Sequence, residues 1–245
     1  MNIDNKKEVV SIIQARMSSK RLPGKVLLPL GNSTILNEVI NRAKDFSKQV
    51  IVCTSKDNSD DEIENFCIKK DIHFIRGDLE NVFSRYQSVF YNLKNLEECK
   101  WFARLTADNP LISTKLAKNL ISKIDNKLDY ITYKKNIPNG SAIELINKST
   151  FLNIKSNDLD TIQKEHVTPI FYENQNKFNI LFLSAPSSYN LRNLRITIDY
   201  EEDYKLVRKL FEINNKITLE EVIDLFKKDS KLFDLNKNCI QNQIR

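Results

Sequence analysis

Glycine is scarce in this chain. Gly24, Gly31, Gly77 and Gly140 are the only four in 245 residues. Their spacing fits neither GxGxxG nor GxxxxGK[ST], which excludes the two common glycine-rich phosphate loops. Histidine is scarcer still, with His73 and His166 alone, and the four cysteines, Cys53, Cys67, Cys99 and Cys239, form no CxxC pair. Zinc-ligand spacing is therefore absent, and a chain of this length needs no disulfide framework. Long apolar runs are missing too: nothing approaches a bilayer span, and the opening MNIDNKKEVV lacks the apolar stretch of a signal peptide. The expected location is the cytoplasm, with no membrane partner. The net charge of +6 comes from scattered lysines, with no block of five or more like charges. A nucleic-acid groove calls for clustered cations, so nucleic acid is not an expected partner.

What the sequence does contain is regular alternation. Runs rich in β-branched and aromatic residues at 9–15, 49–54, 72–76, 101–106, 130–133, 143–146, 178–183 and 194–198 predict strands. Helical spacing fills 34–46, 60–70 and 79–96, the last carrying Val82, Tyr86, Val89, Phe90 and Leu93 on one stripe. This βαβαβαβ order predicts a largely parallel sheet covered by helices on both faces. Further helices are expected at 114–124, 160–174, 201–213 and 219–228. No Gly/Ser/Pro-rich linker and no internal repeat divides the chain, so one α/β domain is expected.

Ligands of open α/β sheets sit beyond the carboxyl ends of the strands. The first strand runs into ARMSSKRLPGK, which gathers Arg16, Lys20, Arg21 and Lys25 around Ser18, Ser19 and a Pro23-Gly24 turn. Its amides suit phosphate oxygens, with the arginines offering forked hydrogen bonds and the lysine a point charge; a solvated basic loop would read the same. The fourth strand ends in RLTADNPLI, where Asp108 is placed either to hold Mg²⁺ or to cap the next helix. Asp199 in RITIDYEEDY repeats that choice, while Glu201, Glu202 and Asp203 fall in a first helical turn and are expected to face solvent. IQKEHVTPIFYE sets Glu165, His166, Thr168 and Pro169 at a polar corner of an apolar helix. A packed, hydrogen-bonded imidazole and a substrate role for His166 both remain open there.

Taken in order, IIQARMSSKRLPGKVLLPL, RGDLENVFSRYQ, RLTADNPLI, NGSAIELI, EHVTPIFYE and LRITIDYEEDY resemble the SpsF-like cytidylyltransferases, relatives of the synthetases of CMP-sialic acid and CMP-KDO. The match spans residues 12 to about 210, and the ARxSSxRLPGK form of the first motif is the most specific.

The resemblance implies a nucleotidyltransferase fold (nucleotide-diphospho-sugar transferase-like) with a mixed, mostly parallel sheet. It implies a nucleotide-binding half at about 8–112, an acceptor and dimer half at about 113–213 and a helical tail at 214–245. It further implies CTP and a sugar or sugar-acid acceptor as substrates, Mg²⁺ as cofactor and a homodimer. Arg16, Lys25 and Asp108 are the expected catalytic residues, and Asp108 and Asp199 the metal carboxylates. Ala15, Thr54, Arg76 and Thr106, with Arg16, Ser18, Ser19, Arg21 and Lys25, form the expected nucleotide-binding set. Glu144, Glu165, His166 and Arg195 are the expected acceptor contacts. The chain departs from the family at Ser113 and Ala142, where acids are common, and at Tyr200 and Glu201, where a proline usually enters the last helix. Two other readings fit the same residues: a nucleotide-binding protein without turnover, and transfer of UMP from UTP.

Overall fold

Alternation along the central strand decides the architecture. In β1 (Val9–Gln14), Val9 and Ile13 face one side of the sheet and Val10 and Ile12 the other, and all four are buried. A strand apolar on both faces requires a helical layer above and below. The computed structural model, which describes residues 9–134 and 136–240, shows both layers.

The short strands β2 (Pro29–Leu30) and β3 (Ser33–Thr34) precede α1 (Ile35–Lys44), β4 (Gln49–Ser55), α2 (Asp61–Lys69), β5 (His73–Gly77), α3 (Val82–Asn92) and β6 (Trp101–Thr106). Then follow α4 (Thr114–Ile121), β7 (Tyr130–Tyr133), β8 (Glu144–Asn147), α5 (Lys148–Asn153), α6 (Thr161–His166), α7 (Pro169–Glu173) and β9 (Ile180–Leu183). α8 (Glu201–Ile213) and α9 (Leu219–Lys228) come last. Seven strands form one sheet in the order β5-β4-β1-β6-β8-β7-β9. β5, β4, β1 and β6 are parallel, β8 runs antiparallel to both β6 and β7, and β9 is parallel to β7. This is the mixed, mostly parallel sheet expected above.

One face of the sheet is covered by α1, α2, α4, α8 and α9 through residues such as Val39, Cys67, Leu120, Leu210 and Val222. On the other face α3, α5 and α7 bring Phe83, Tyr86, Phe151 and Phe171 together, with the Phe151 ring 4.3 Å from Phe83 and 5.0 Å from Phe102. β1 lies between β4 and β6, so the strand order reverses there. The carboxyl ends of β1 and β6 therefore frame the crevice where this topology binds ligands.

Two expected elements differ. Residues 194–198 are not a strand but a segment with one parallel bridge, Asn139 to Arg195. Ile196 N bonds to Asn139 O and Ile198 N to Asp108 O, so the neighbours of this segment are loops that offer no ladder. The helix expected over 160–174 is broken into α6 and α7 at Val167, where φ is +70° and ψ −52°. Thr168 N donates to His166 O at 2.8 Å, closing a γ-turn of the strained, positive-φ kind. Residues 1–8, read above as carrying no signal sequence, and 241–245 of the expected tail lie outside the described residues. Among the described residues no helix is long and apolar enough to cross a membrane.

Candidate active site

A cleft of 960 Å³ opens beyond the carboxyl ends of β1 and β6. Its rim is the basic loop that leaves β1, and the loop is pinned rather than slack. Met17 N donates to Asp60 Oδ1 at 2.7 Å, while Met17 O accepts from Ser19 N at 2.8 Å and Gly24 N at 2.9 Å. Asp60 is fully buried and also accepts from Ser55 N at 3.1 Å, which ties the loop to the end of β4. Gly24 adopts φ +71°, a conformation a side chain would strain, and so turns the chain back toward the sheet. Lys25 then enters a 3-10 turn and points inward, only 7% exposed.

All three Lys25 protons are placed. Nζ donates to Asp108 Oδ2 at 2.7 Å, to Ile198 O at 2.7 Å and to Asp199 Oδ1 at 2.9 Å. Burial works against the ammonium, but Asp108 and Asp199 outweigh it and hold the Lys25 pKa above its ordinary value. Burial likewise opposes the Asp199 charge, and Lys25, Arg195 and Arg21 together hold its carboxyl below the usual range. Arg21 reaches Asp199 Oδ1 at 2.9 Å and donates to the Tyr200 hydroxyl at 3.2 Å, with its guanidinium 4.7 Å from the Tyr200 ring centre. Two carboxylates from distant segments thus converge on one cation. That donor set suits Mg²⁺, which takes one or two carboxylates and completes its shell with phosphate oxygens and water.

Arg195 lies beneath this cluster. It donates to Asp199 Oδ2 at 2.8 Å and makes a fork to Asp203, Nε to Oδ1 and Nη2 to Oδ2, both at 2.9 Å. Asp203 is fully buried and not solvent-facing as expected, because it sits at the third position of α8 and also accepts from the amides of Asp199 and Tyr200. Arg195 is itself buried and does not line the cleft. Its acids are already in place, so Arg195 holds Asp199 from below instead of reaching for an acceptor.

The far side of the cleft carries His166 and Glu165, at the end of α6. The γ-turn at Val167 stops the helix there. Burial lowers the His166 pKa, and Arg104 and Arg16 lower it further against the pull of Glu165, so the imidazole is neutral at pH 7. Glu165 accepts from Arg16 Nη2 at 3.3 Å across the cleft mouth. On the floor, Arg104 donates to Glu144 Oε2 at 2.8 Å and Gln14 Oε1 at 3.0 Å, and Tyr130 donates to the other Glu144 oxygen.

The structure brings Ala15, Arg16, Ser19, Arg21, Lys25 and Thr106 to the cleft with Asp108, Asp199, Glu165 and His166. It does not bring the others. Ser18 is exposed and Thr54 fully buried inside β4. Arg76 pairs with Asp61 at 2.8 Å and with Glu64, and it lines a separate hollow. Glu144 lies behind Arg104 and not in the cleft wall. Thr54 and Arg76 stand at the ends of β4 and β5, but α2 and α3 pack against those strands. Asp60, Arg104, Tyr200 and Arg85 are not among the expected site residues. Arg85 had a legible signal: it is three residues from Val82 and four from Val89, on the buried stripe of α3.

Comparison with known proteins bears on this site. Residues 10–239 match the cytidylyltransferase family. The chain is 33% identical to an uncharacterized protein of Methanocaldococcus jannaschii over 244 residues, covering 97% of this chain and 98% of that one. It is 33% identical to the spore coat polysaccharide biosynthesis protein SpsF of Bacillus subtilis over 213 residues, covering 84% and 87%. Among solved structures, a cytidylyltransferase from Leptospira borgpetersenii superposes with a TM-score of 0.82 at 27% identity, covering 97% of this chain and 100% of that one. The chain belongs to the cytidylyltransferase family, and is an SpsF-like, CTP-dependent nucleotidyltransferase.

Proposed function

We propose that this protein transfers CMP from CTP to a hydroxyl of a sugar or sugar acid, releasing pyrophosphate, in the synthesis of a surface polysaccharide or glycan. The observation that carries the reading is the convergence of Asp108 and Asp199 on Lys25 at the floor of a cleft rimmed by Arg16 and Arg21. Attack on the α-phosphorus forms one P–O bond and breaks another, so charge gathers on the phosphoryl oxygens and the leaving pyrophosphate. Arg16 and Arg21 bind those oxygens, and Lys25 keeps the two carboxylates in register. Asp108 and Asp199 hold Mg²⁺, which when bound neutralises part of that charge. His166, neutral at pH 7 and facing the cleft, accepts the proton of the attacking hydroxyl.

The polysaccharide role draws on the name of the Bacillus subtilis relative. A carboxylate on the acceptor would meet Arg104 or Arg16, the two cations that act on His166, and not Arg195. A homodimer belongs to the same reading: β9 ends the sheet with four apolar residues, Ile180, Leu181, Phe182 and Leu183, each partly exposed. A second copy would cover such an edge.

The test is pyrophosphate release from each nucleoside triphosphate with Mg²⁺, against a panel of neutral sugars and sugar acids. Release with CTP and a carboxylated sugar is expected. Equal release from UTP, or CTP binding without turnover on any acceptor, would count against the proposal.

A further inference from the structure

Arg85 is a buried cation that meets no carboxylate among the described residues. It is 1% exposed, and its Nε and Nη1 have no hydrogen-bond partner. An unpaired buried charge is costly to keep, and a site where a ligand completes it is a physical reason to keep one. The side chain also has its own room. A Cβ on Gly77 would lie 2.5 Å from Arg85 Cγ, so glycine at the end of β5 is what lets the arginine pass.

Its position identifies the ligand group. Arg85 lines the inner wall of the cleft with Val82. It lies against the Cys53 thiol, and Cys53 is the register partner of Gln14 and the acceptor of the Ala15 amide. That puts the guanidinium on the β4 side of β1, under the start of the basic loop. Lys25 and the two carboxylates lie where the loop after β1, the end of β6 and the segment before α8 meet, and Arg104 and Glu144 lie on the paired strands β6 and β8, away from β4. With the α-phosphorus at the carboxylates and the acceptor toward Arg104, the nucleoside end of the substrate runs toward Arg85.

We propose that Arg85 reads the pyrimidine base, donating a charged hydrogen bond to the acceptor edge of cytosine. Cytosine presents the N3 lone pair beside O2, whereas uracil presents an N3–H that would face the donor and leave it unpaired. A buried donor left unsatisfied is the arrangement that discriminates strongly between near-isosteric ligands. Arg85 is thus the residue that separates CTP from UTP, and the assignment rests on the proposed reading of the cleft.

The experiment is calorimetric titration of wild type and Arg85→Met with CTP, UTP and inorganic tripolyphosphate, all with Mg²⁺. Wild type should prefer CTP. In Arg85→Met the CTP-to-UTP ratio should fall about tenfold or more, through weaker CTP binding, with tripolyphosphate unaffected and the melting temperature unchanged or raised. A ratio that survives the substitution overturns the assignment. So does an equal loss for CTP, UTP and tripolyphosphate, which would make Arg85 a phosphate ligand. A wild type without CTP preference would instead bring down the reading of the cleft, and this inference with it. Should Arg85→Met fail to fold, Gly77→Ala displaces the same side chain at Cγ. It must lower the ratio too, and an unchanged ratio there is equally fatal.

Discussion

Lys25 and Asp199 lie 174 residues apart in the chain and 2.9 Å apart in the fold. Their contact, with the Lys25–Asp108 bond beside it, joins the loop after β1 to the segment that enters α8. The site is therefore a closed charge network, and loop residues differ in what their loss costs.

Arg21 is partly exposed, whereas Lys25 is buried between two carboxylates. Arg21→Ala should weaken CTP binding by about tenfold, the worth of one charge-assisted hydrogen bond, with little change in melting temperature. Lys25→Ala should do the same and also destabilise the fold by about 3 kcal/mol, because it leaves Asp108 and Asp199 facing each other. Calorimetry and thermal melts on both variants would show the difference. Equal melting temperatures would mean that Lys25 is not a structural bridge.

For the proposed metal carboxylates, Asp108→Asn and Asp199→Asn should each abolish pyrophosphate release and the Mg²⁺-dependent part of a CTP thermal shift. Only Asp199→Asn should also lower the melting temperature of the free protein, since Lys25, Arg21 and Arg195 all bear on that carboxyl. Its pKa is held below the ordinary carboxylate value, so its contribution is present above about pH 4 and is lost as pH falls through the lowered pKa. Acid melts of wild type should be steeper below about pH 4 than those of the variant.

Arg195→Lys tests the lower half of the network. Lysine keeps the charge but cannot make the fork to Asp203. The expected result is a fall in melting temperature of about 5 °C, corresponding to about 2 kcal/mol in a chain of this size. The acceptor KM should stay near wild type. A raised KM with an unchanged melting temperature would return Arg195 to the acceptor site.

His166 gives a pH signature. Its pKa lies below the ordinary value, so the neutral base is present at pH 7 and is lost as pH falls through that lowered pKa. kcat/KM should decline on an acid limb below about pH 6.5, and His166→Gln should be slower by about 10² and lose that limb. An unaltered limb in the variant would move the base elsewhere. The folding sign is the same: below about pH 6.5 the unfolded chain takes the proton first, so stability falls with pH.

The layered sheet is written locally, because period-two and helical repeats act through near neighbours in the chain. Val9 to Ile13, apolar on both faces, already required helices on both sides. The loop cations and the two aspartates were legible as well, since each stands at the end of an apolar run. Which charge faces which is not local, and it emerged only when the elements packed. Glu201, Glu202 and Asp203 read alike at a helix start, but α8 turns Asp203 toward Tyr204, Val207 and Leu210 on its buried side, where Arg195 meets it. Residues 194–198 carry a strand pattern yet lie among loops, because pairing depends on the neighbour brought alongside and not on the segment. Lys25 passed for a free phosphate ligand until Asp108 and Asp199 closed on it. The helical stripe of α3 marks Arg85 as buried, but not that among the described residues no carboxylate meets it. Pairing of charges is a long-range property, set by where the fold excludes water, and no local pattern records it.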